Sequence, residues 1–452
     1  MSSISTKFIS FLLLPLYTYY LSTNEYATID LISLLQTLLV PVLTLSLFEG
    51  VLRFGISRSK DIKKIFTVGF IAAAISCMIV FVCAPFVMSL LGLHGFEYYW
   101  IAIYAVTVYM SFFGVFSRTI GKIKLMAFVS AFSSISVIIL NVFSVAVLKL
   151  GINGYLMSMI IGNGISCVIY IIFGKFYKYF SITKDMELLK RMLLYSIPMI
   201  PNSILWWLNN SVGKFFLTAL SSLSVVGLYS VASKIPMMMD TINRVFQQAW
   251  SLSAFKEFES DENTVKSFYS NIFNAYSLLM LLISAIIILA SNLIGQLMFS
   301  KEFYVAWKLI PWLISGAFFS TLSSFLSSIF MAYQKTNILF MTTGIGAIMN
   351  IALNVILIPH FDANGAAIAN LISSYTIWCV SFCLVSKLIK LDFQFARASI
   401  THAILLIECI LICGTYTYSI IGSILLICIM ILLNFNQLAN LKNVLLKTKR
   451  RK

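Results

Sequence analysis

The chain has 452 residues, of which 60% are hydrophobic and only 11% charged, with 32 Lys and Arg against 16 Asp and Glu. Soluble domains carry roughly 25% charged residues, so this composition excludes a soluble globular protein and points to an integral membrane protein. The formal net charge of +16 invites a nucleic-acid partner, but the loop-by-loop distribution of basic residues accounts for it without one.

A spanning helix needs about 20 mostly apolar residues. Fourteen such runs follow one another, near 7–22, 27–52, 65–91, 98–117, 125–149, 153–174, 192–218, 225–254, 267–292, 304–330, 338–359, 365–388, 397–416 and 418–436. The first carries Lys7 and is interrupted by Pro15 without a small-residue cleavage site after it, so it reads as a helix rather than a removed signal peptide. In the second, Glu49 and Arg53 stand one turn apart, which suits either an i, i+4 ion pair at a helix end or a contact to substrate.

The seventh run places Ser196, Asn202, Ser203, Asn209, Asn210 and Lys214 on one arc of roughly 140°. Pro198 and Pro201 lie inside it and predict a kink or break, which membrane-embedded backbone tolerates where it meets protein or a wet cavity. Trp206 and Trp207 suit interface or packing positions, or stacking on a sugar ring. The eighth run gathers Lys234, Asp240, Thr241, Arg244, Gln247 and Gln248 on a similar arc of roughly 140°, with Ile235, Met238, Met239, Ile242, Val245, Phe246 and Ala249 opposite.

Ionisable groups are costly in hydrocarbon, so such a stripe is expected to turn toward a protein-lined, water-accessible cavity. A basic cavity suits an anionic passenger. Asp240 and Arg244 have ion-pair spacing, whereas Lys234 and Lys214 have no obvious acid. That leaves two cations for a pyrophosphate, or two long side chains snorkelling to an interface. Glu408, alone on the thirteenth run, is a proton site or a helix–helix hydrogen bond.

All eight cysteines lie in apolar runs. The i, i+4 pairs Cys379/Cys383 and Cys409/Cys413 read as small packing residues rather than metal ligands. His94, His360 and His402 are isolated and read as loop or interface residues. The extramembrane segments are short, and no phosphate-binding loop, His-Glu-x-x-His run or nucleophile elbow occurs. No cofactor, metal site or enzymatic activity is expected.

Twenty-six of the Lys and Arg fall in the terminal segments and alternate loops on one side: Lys7; Arg53 to Lys64; Arg118 to Lys124; Lys175 to Arg191; Lys256 and Lys266; Lys335; Lys387 to Arg397; and Lys442 to Lys452. Only Lys149, Lys301 and Lys308 fall on the other side. The positive-inside rule then predicts an even helix number with both termini cytoplasmic, and it leaves Lys214, Lys234 and Arg244 unexplained by topology.

The chain also repeats itself. Leu150-Gly-Ile-Asn-Gly154 corresponds to Phe361-Asp-Ala-Asn-Gly365 at an offset of 211 residues, and Glu25-Tyr-Ala27 to Val225-Val-Gly227 at an offset of 200. A six-helix period gives parallel repeats. We expect an N-lobe over 1–174, a basic cytoplasmic linker over 175–191, a C-lobe over 192–388, and two further helices with a basic tail over 389–452.

Several motifs share a common source. Tyr195-Ser-Ile-Pro-Met-Ile-Pro-Asn202, Trp206-Trp207, Val226-Gly-Leu-Tyr-Ser230 and Phe246-Gln-Gln-Ala-Trp250 resemble the polysaccharide-transport family of Wzx-type O-antigen and capsule flippases. So do Phe48-Glu-Gly-Val-Leu-Arg-Phe54 and Asn350-Ile-Ala-Leu-Asn-Val-Ile-Leu-Ile-Pro359 with Asn364-Gly-Ala-Ala367. The motifs run in order over about 25–390.

The resemblance implies the fold of the MATE exporters and lipid II flippases, an all-α protein with two lobes in a V around a central, often cationic cavity. It implies alternating-access transfer of an undecaprenyl-pyrophosphate-linked oligosaccharide from the cytoplasmic to the periplasmic leaflet of a bacterial inner membrane. A polymerase and a chain-length regulator of the same pathway would be protein partners, with membrane lipids around the chain.

On this reading Lys214, Lys234, Arg244 and Arg53 neutralise the phosphates. Asn202, Asn209, Asn210, Gln247 and Gln248 line the cavity, and Asp240, Glu49 and Glu408 are candidate coupling acids. In one departure, Gly213-Lys214 stands where many relatives carry an Asp-Arg pair. A MATE-type cation antiporter is the first alternative, opposed by the buried bases. A membrane-embedded polymerase or ligase is the second, opposed by the short outer loops.

Overall fold

The structure is a computed structural model and describes residues 11–57, 61–181, 185–257, 261–333, 335–389, 395–414 and 418–435. Regular structure among these residues is helical throughout. Lipid offers no partner for backbone polar groups, and a helix satisfies its own.

In chain order the helices are Leu14–Tyr20 (α1), Thr23–Leu43 (α2), Leu47–Ser57 (α3), Ile62–Leu90 (α4), Glu97–Thr119 (α5), Ile123–Asn141 (α6), Gly151–Gly174 (α7), Met186–Ser196 (α8), Ile200–Leu220 (α9), Leu223–Ala232 (α10), Lys234–Glu257 (α11), Glu262–Leu289 (α12), Ser291–Met298 (α13), Ile310–Ala332 (α14), Thr336–Leu388 (α15), Phe395–Cys413 (α16) and Ser419–Leu433 (α17). Each of the fourteen expected segments carries helix, and 8 helices are long and apolar enough to cross a membrane by length and composition. Met78, Phe81, Val82 and Phe86 lie exposed along α4, as side chains solvated by lipid should. This is a multi-pass membrane protein.

Several expected segments are split, two of them at marked backbone breaks. The run at 27–52 breaks between α2 and α3, where Leu45 (φ 52°) and Ser46 (φ 50°) adopt left-handed backbone. The Ser46 amide then reaches back to the Pro41 carbonyl at 2.7 Å. The run at 225–254 breaks at Ser233. Pro236, in the first turn of α11, has no N–H to donate to the carbonyl of Ala232 one turn earlier.

The sequence repeat has a physical basis. Gly151 (φ 54°) opens α7, and Asp362 (φ 47°, ψ −128°) interrupts α15 at the position 211 residues later. Three residues beyond each, the chain must come close to the preceding helix. A Cβ on Gly154 would lie 3.1 Å from the Ser144 carbonyl carbon, and one on Gly365 2.4 Å from the Leu357 oxygen. The 200-residue correspondence is likewise a shared helix start. Ser22 caps α2, with its hydroxyl accepting from the Glu25 amide at 3.3 Å, and Ser222 accepts from the Val225 amide at 3.4 Å before α10.

The chain forms two compact units, Met1–Gly227 and Leu228–Lys452. This division lies past α9, whereas the repeat sets its boundary at 175–191. In the first unit, α4, α5 and α7 enclose an aromatic core that includes Phe66, Phe112, Phe113, Phe116, Tyr170 and Phe176. Outside the apolar spans, Asp185 caps α8 by accepting from the Leu188 amide at 3.0 Å and pairs with Lys64 at 2.9 Å. The amide bond, then Lys64, holds its carboxyl below the usual carboxylate range. In the second unit α14 is central, almost wholly buried among α11, α12, α15 and α16.

Candidate functional site

In the first unit α9 packs against α2, and polar contacts fix the pairing. Lys214 Nζ donates to Asp30 Oδ2 at 2.6 Å, with Lys214 only 8% exposed and Asp30 7%. The indole of Trp207 donates to the Leu34 carbonyl at 3.1 Å. At the helix ends the Thr23 and Ser224 hydroxyls lie 2.9 Å apart, and Gly227 lets α10 reach the Thr23 backbone.

The expectation that Lys214 lacks an acid is therefore overturned, because Asp30 lies 184 residues away in sequence. Depth in the membrane is the signal that would have found it. Asp30 stands seven residues after the start of α2, about 10 Å, and Lys214 six before the end of α9, about 9 Å. Two opposite charges at matched depth in membrane helices are each other's cheapest partner. Trp207 is a buried packing residue with its ring edge on Phe215 at 5.0 Å, so it offers no face to a sugar.

The proline-rich stretch behaves as its composition predicts. A 3₁₀ turn over Ile197–Met199 separates α8 from α9. The side chains of Asn202, Trp206, Asn209 and Asn210 lie outside the described residues, as does that of Gln248.

Arg53, at the surface of α3, holds its guanidinium 4.8 Å from the centre of the Tyr195 ring on α8, a cation–π contact worth roughly 0.5–1 kcal/mol at an exposed site. Glu49 is exposed one turn earlier.

In the second unit α11 divides into two faces. Trp250 donates to the Phe325 carbonyl at 3.3 Å and stacks on the Phe325 ring. Phe246 stacks on Tyr276 with ring centres 4.1 Å apart, and the Tyr276 hydroxyl donates to Asn243 at 2.7 Å. This packed face meets α12 and α14. Gln247 sits at its margin, accepting from Ser328 at 2.9 Å, so it braces the helix pair. Thr241 is buried and donates back to the Met237 carbonyl at 2.8 Å.

The opposite side keeps the charges. Arg244 is exposed, and Lys234 and Asp240 are half-buried. Among the described residues Arg244 makes no ion pair, so the expected pairing with Asp240 is not formed. An exposed pair gains little against the side-chain entropy it costs. A cation on the uncovered face of a helix in a membrane protein is available to an anion.

Glu408 belongs to neither set, being wholly buried and hydrogen-bonded to Ser423 at 2.5 Å. His402 is packed edge-on against Phe318, Phe319 and Trp378, beside a cavity of about 180 Å³ lined mostly by apolar and aromatic residues that include Cys379 and Cys383.

Comparison with known proteins gives the following. Residues 19–308 match the family model described as polysaccharide biosynthesis protein. No curated protein matches the chain. Among solved structures, the lipid II flippase MurJ in an inward closed conformation is similar with a TM-score of 0.72 at 14% identity, over 98% of each chain. An inward-facing multidrug resistance MATE family transporter of the MOP superfamily gives 0.68 at 13% identity, over 87% of this chain and 96% of that one. A MOP superfamily transporter from Pyrococcus furiosus, described by a binding pocket of reverse polarity, gives 0.57 at 15% identity, over 86% and 94%. At these identities the likeness is one of fold.

Proposed function

Since this chain belongs to the polysaccharide biosynthesis protein family, we propose that it is a flippase that turns a lipid-linked oligosaccharide, carried on undecaprenyl pyrophosphate, from the cytoplasmic to the periplasmic leaflet. The observation that carries this reading is the α11 stripe. Lys234 and Arg244 sit on α11, whose Phe246 and Trp250 pack against α12 and α14 while Arg244 stays exposed. The exposed guanidinium of Arg244 is a fork that matches two phosphate oxygens at once, and Lys234 adds a point charge. Lys214, in the first unit, is already held by Asp30. Arg53 guards the end of α3.

The wider assignment follows from the same premise. The parallel repeat supports two six-helix lobes over 1–174 and 192–388, the loop charges support cytoplasmic termini in a bacterial inner membrane, and the oligosaccharide is a repeat unit of an O-antigen or capsule. A polymerase and a chain-length regulator would receive the product. A cation exporter of the MATE type is the second reading, for which Asp30 supplies the acid. Lys214 already neutralises that acid, and this favours the anionic cargo.

The test is complementation of a deletion strain, scored for surface glycan, with Lys234→Gln, Arg244→Gln and the pair Lys214→Gln with Asp30→Asn. Loss of one charge-assisted phosphate contact is worth about 1.5–3 kcal/mol, so Arg244→Gln is expected to cut export at least about tenfold while the protein inserts at normal levels. Undiminished export from the combined variants would sink the cationic mechanism.

A further inference from the structure

Among the described residues, Glu408 is a wholly buried acid with a single hydrogen-bond partner. It lies on α16 with no exposed surface. Its Oε1 is 2.5 Å from Ser423 Oγ on α17, and its Oε2 has no hydrogen-bond partner among the described residues. As a carboxylate it would have one hydroxyl in place of a hydration shell, in a segment surrounded by hydrocarbon and protein. Burial of an isolated carboxylate is so costly that the group takes a proton instead.

The helices around it offer no compensation. α16 packs against α12, α14 and α17, and its His402 side meets Tyr375, Trp378 and Cys379 of α15. Between Ile310 and Ala332, α14 has no ionisable side chain, and α17 has only Cys428. The charges of α12 are Glu262 and Lys266, both in its first two turns, with Tyr269 and Tyr276 beyond them. On α16 itself Arg397 is in the first turn, and Cys409 and Cys413 lie toward the far end, with Ser315 of α14 beside Cys409. His402, six residues from Glu408, turns to a different side of the helix, into its aromatic box.

The unpartnered Oε2 fits the neutral acid better than the ion. The Oε1–Oγ contact is equally made by a carboxylic O–H donating to Ser423. Oε2 is then a carbonyl oxygen, far cheaper to leave unpartnered than an oxygen of a carboxylate. Access is also short. Glu408 stands five residues before the end of α16, about 8 Å, and Ser423 four residues into α17, about 6 Å. A parting of this helix pair at its turn end brings water to the carboxyl.

We propose that Glu408 is a proton-binding site gated by the α16–α17 seam. With the seam closed the carboxyl carries its proton. When the seam opens, the Oε1–H bond breaks, the proton passes to water, and a solvated carboxylate remains. Closing requires one proton to be taken back from water. The site thereby links seam opening to the exchange of one proton, whatever cargo the protein moves.

Infrared difference spectra of the full chain in lipid vesicles test this without any cargo, so their outcome is independent of the flippase assignment. At neutral pH, wild type minus Glu408→Gln is expected to show the C=O band of a carboxylic acid. Carboxylate bands in its place overturn the proposal. Ser423→Ala, which leaves Glu408 intact, is expected to shift the acid band by removing its hydrogen bond, and an unshifted spectrum counts against the site. Amide exchange gives the gating. Protection of α16 and α17 should fall as pH rises in wild type and stay constant in Glu408→Gln. The same pH response in both would show that the seam does not depend on this proton.

Discussion

Lys214 shows how one contact changes the meaning of a residue. As an isolated cation it is a ligand for phosphate, but bonded to Asp30 at 2.6 Å it is first a structural tie between α2 and α9. Removing one partner of a buried pair strands the other charge and costs about 3–5 kcal/mol, whereas replacing both by apolar residues is often neutral. Asp30→Ala is therefore expected to lower thermal stability in detergent sharply, and Asp30→Leu with Lys214→Met to recover most of it. If the double variant is stable but exports no glycan, the pair also serves transport. If the single variant melts with the wild type, the tie contributes nothing. Arg244 belongs to the opposite case, since it is exposed and makes no ion pair among the described residues.

Helix starts and close approaches carry the organisation between elements. α2 and α10 begin 200 residues apart with serine caps, and the two starts touch through Thr23 and Ser224. Gly227 is what permits that contact, because a Cβ there would stand 2.1 Å from the Thr23 carbonyl oxygen. The obstacle is backbone and cannot rotate away. Gly227→Ala is expected to destabilise the protein by about 1–3 kcal/mol, the usual range for overpacking, read as a lower melting temperature, while Gly344→Ala, with open space around it, serves as the unaffected control. The same logic explains why an Asn-Gly step recurs after Gly151 and after Asp362. Each copy needs a left-handed turn followed by a residue with no side chain.

For the whole molecule, the positive-inside rule lets most basic residues be read as topology signals and leaves only a few for chemistry. Both termini and the loops that carry Arg118, Lys122 and Lys124 or Lys387 and Lys390 are expected on the cytoplasmic side. In a chain cleared of its native cysteines, single cysteines at Lys124 and Lys387 should react with a membrane-impermeant maleimide only after the cells are opened. A cysteine at Lys301 should react in intact cells. Labelling of Lys124→Cys from outside would reverse the orientation and with it the direction of transfer.

Composition, hydropathy and charge were enough to determine a multi-pass helical protein, where its helical segments lie and the break at Pro198. These follow from local causes, since a bilayer allows only self-satisfied backbone and a proline removes its own hydrogen bond. The division of α11 was legible only in part, since Thr241 is buried and Gln247 packs on α14 while Ile242 and Val245 are exposed. Only the tertiary structure decided which charges meet, which tryptophan is packing, that Gln247 braces α14, and that Glu408 is sealed by Ser423. Such contacts join residues tens to hundreds of positions apart, and a sequence records each partner's chemistry but not its neighbour in space.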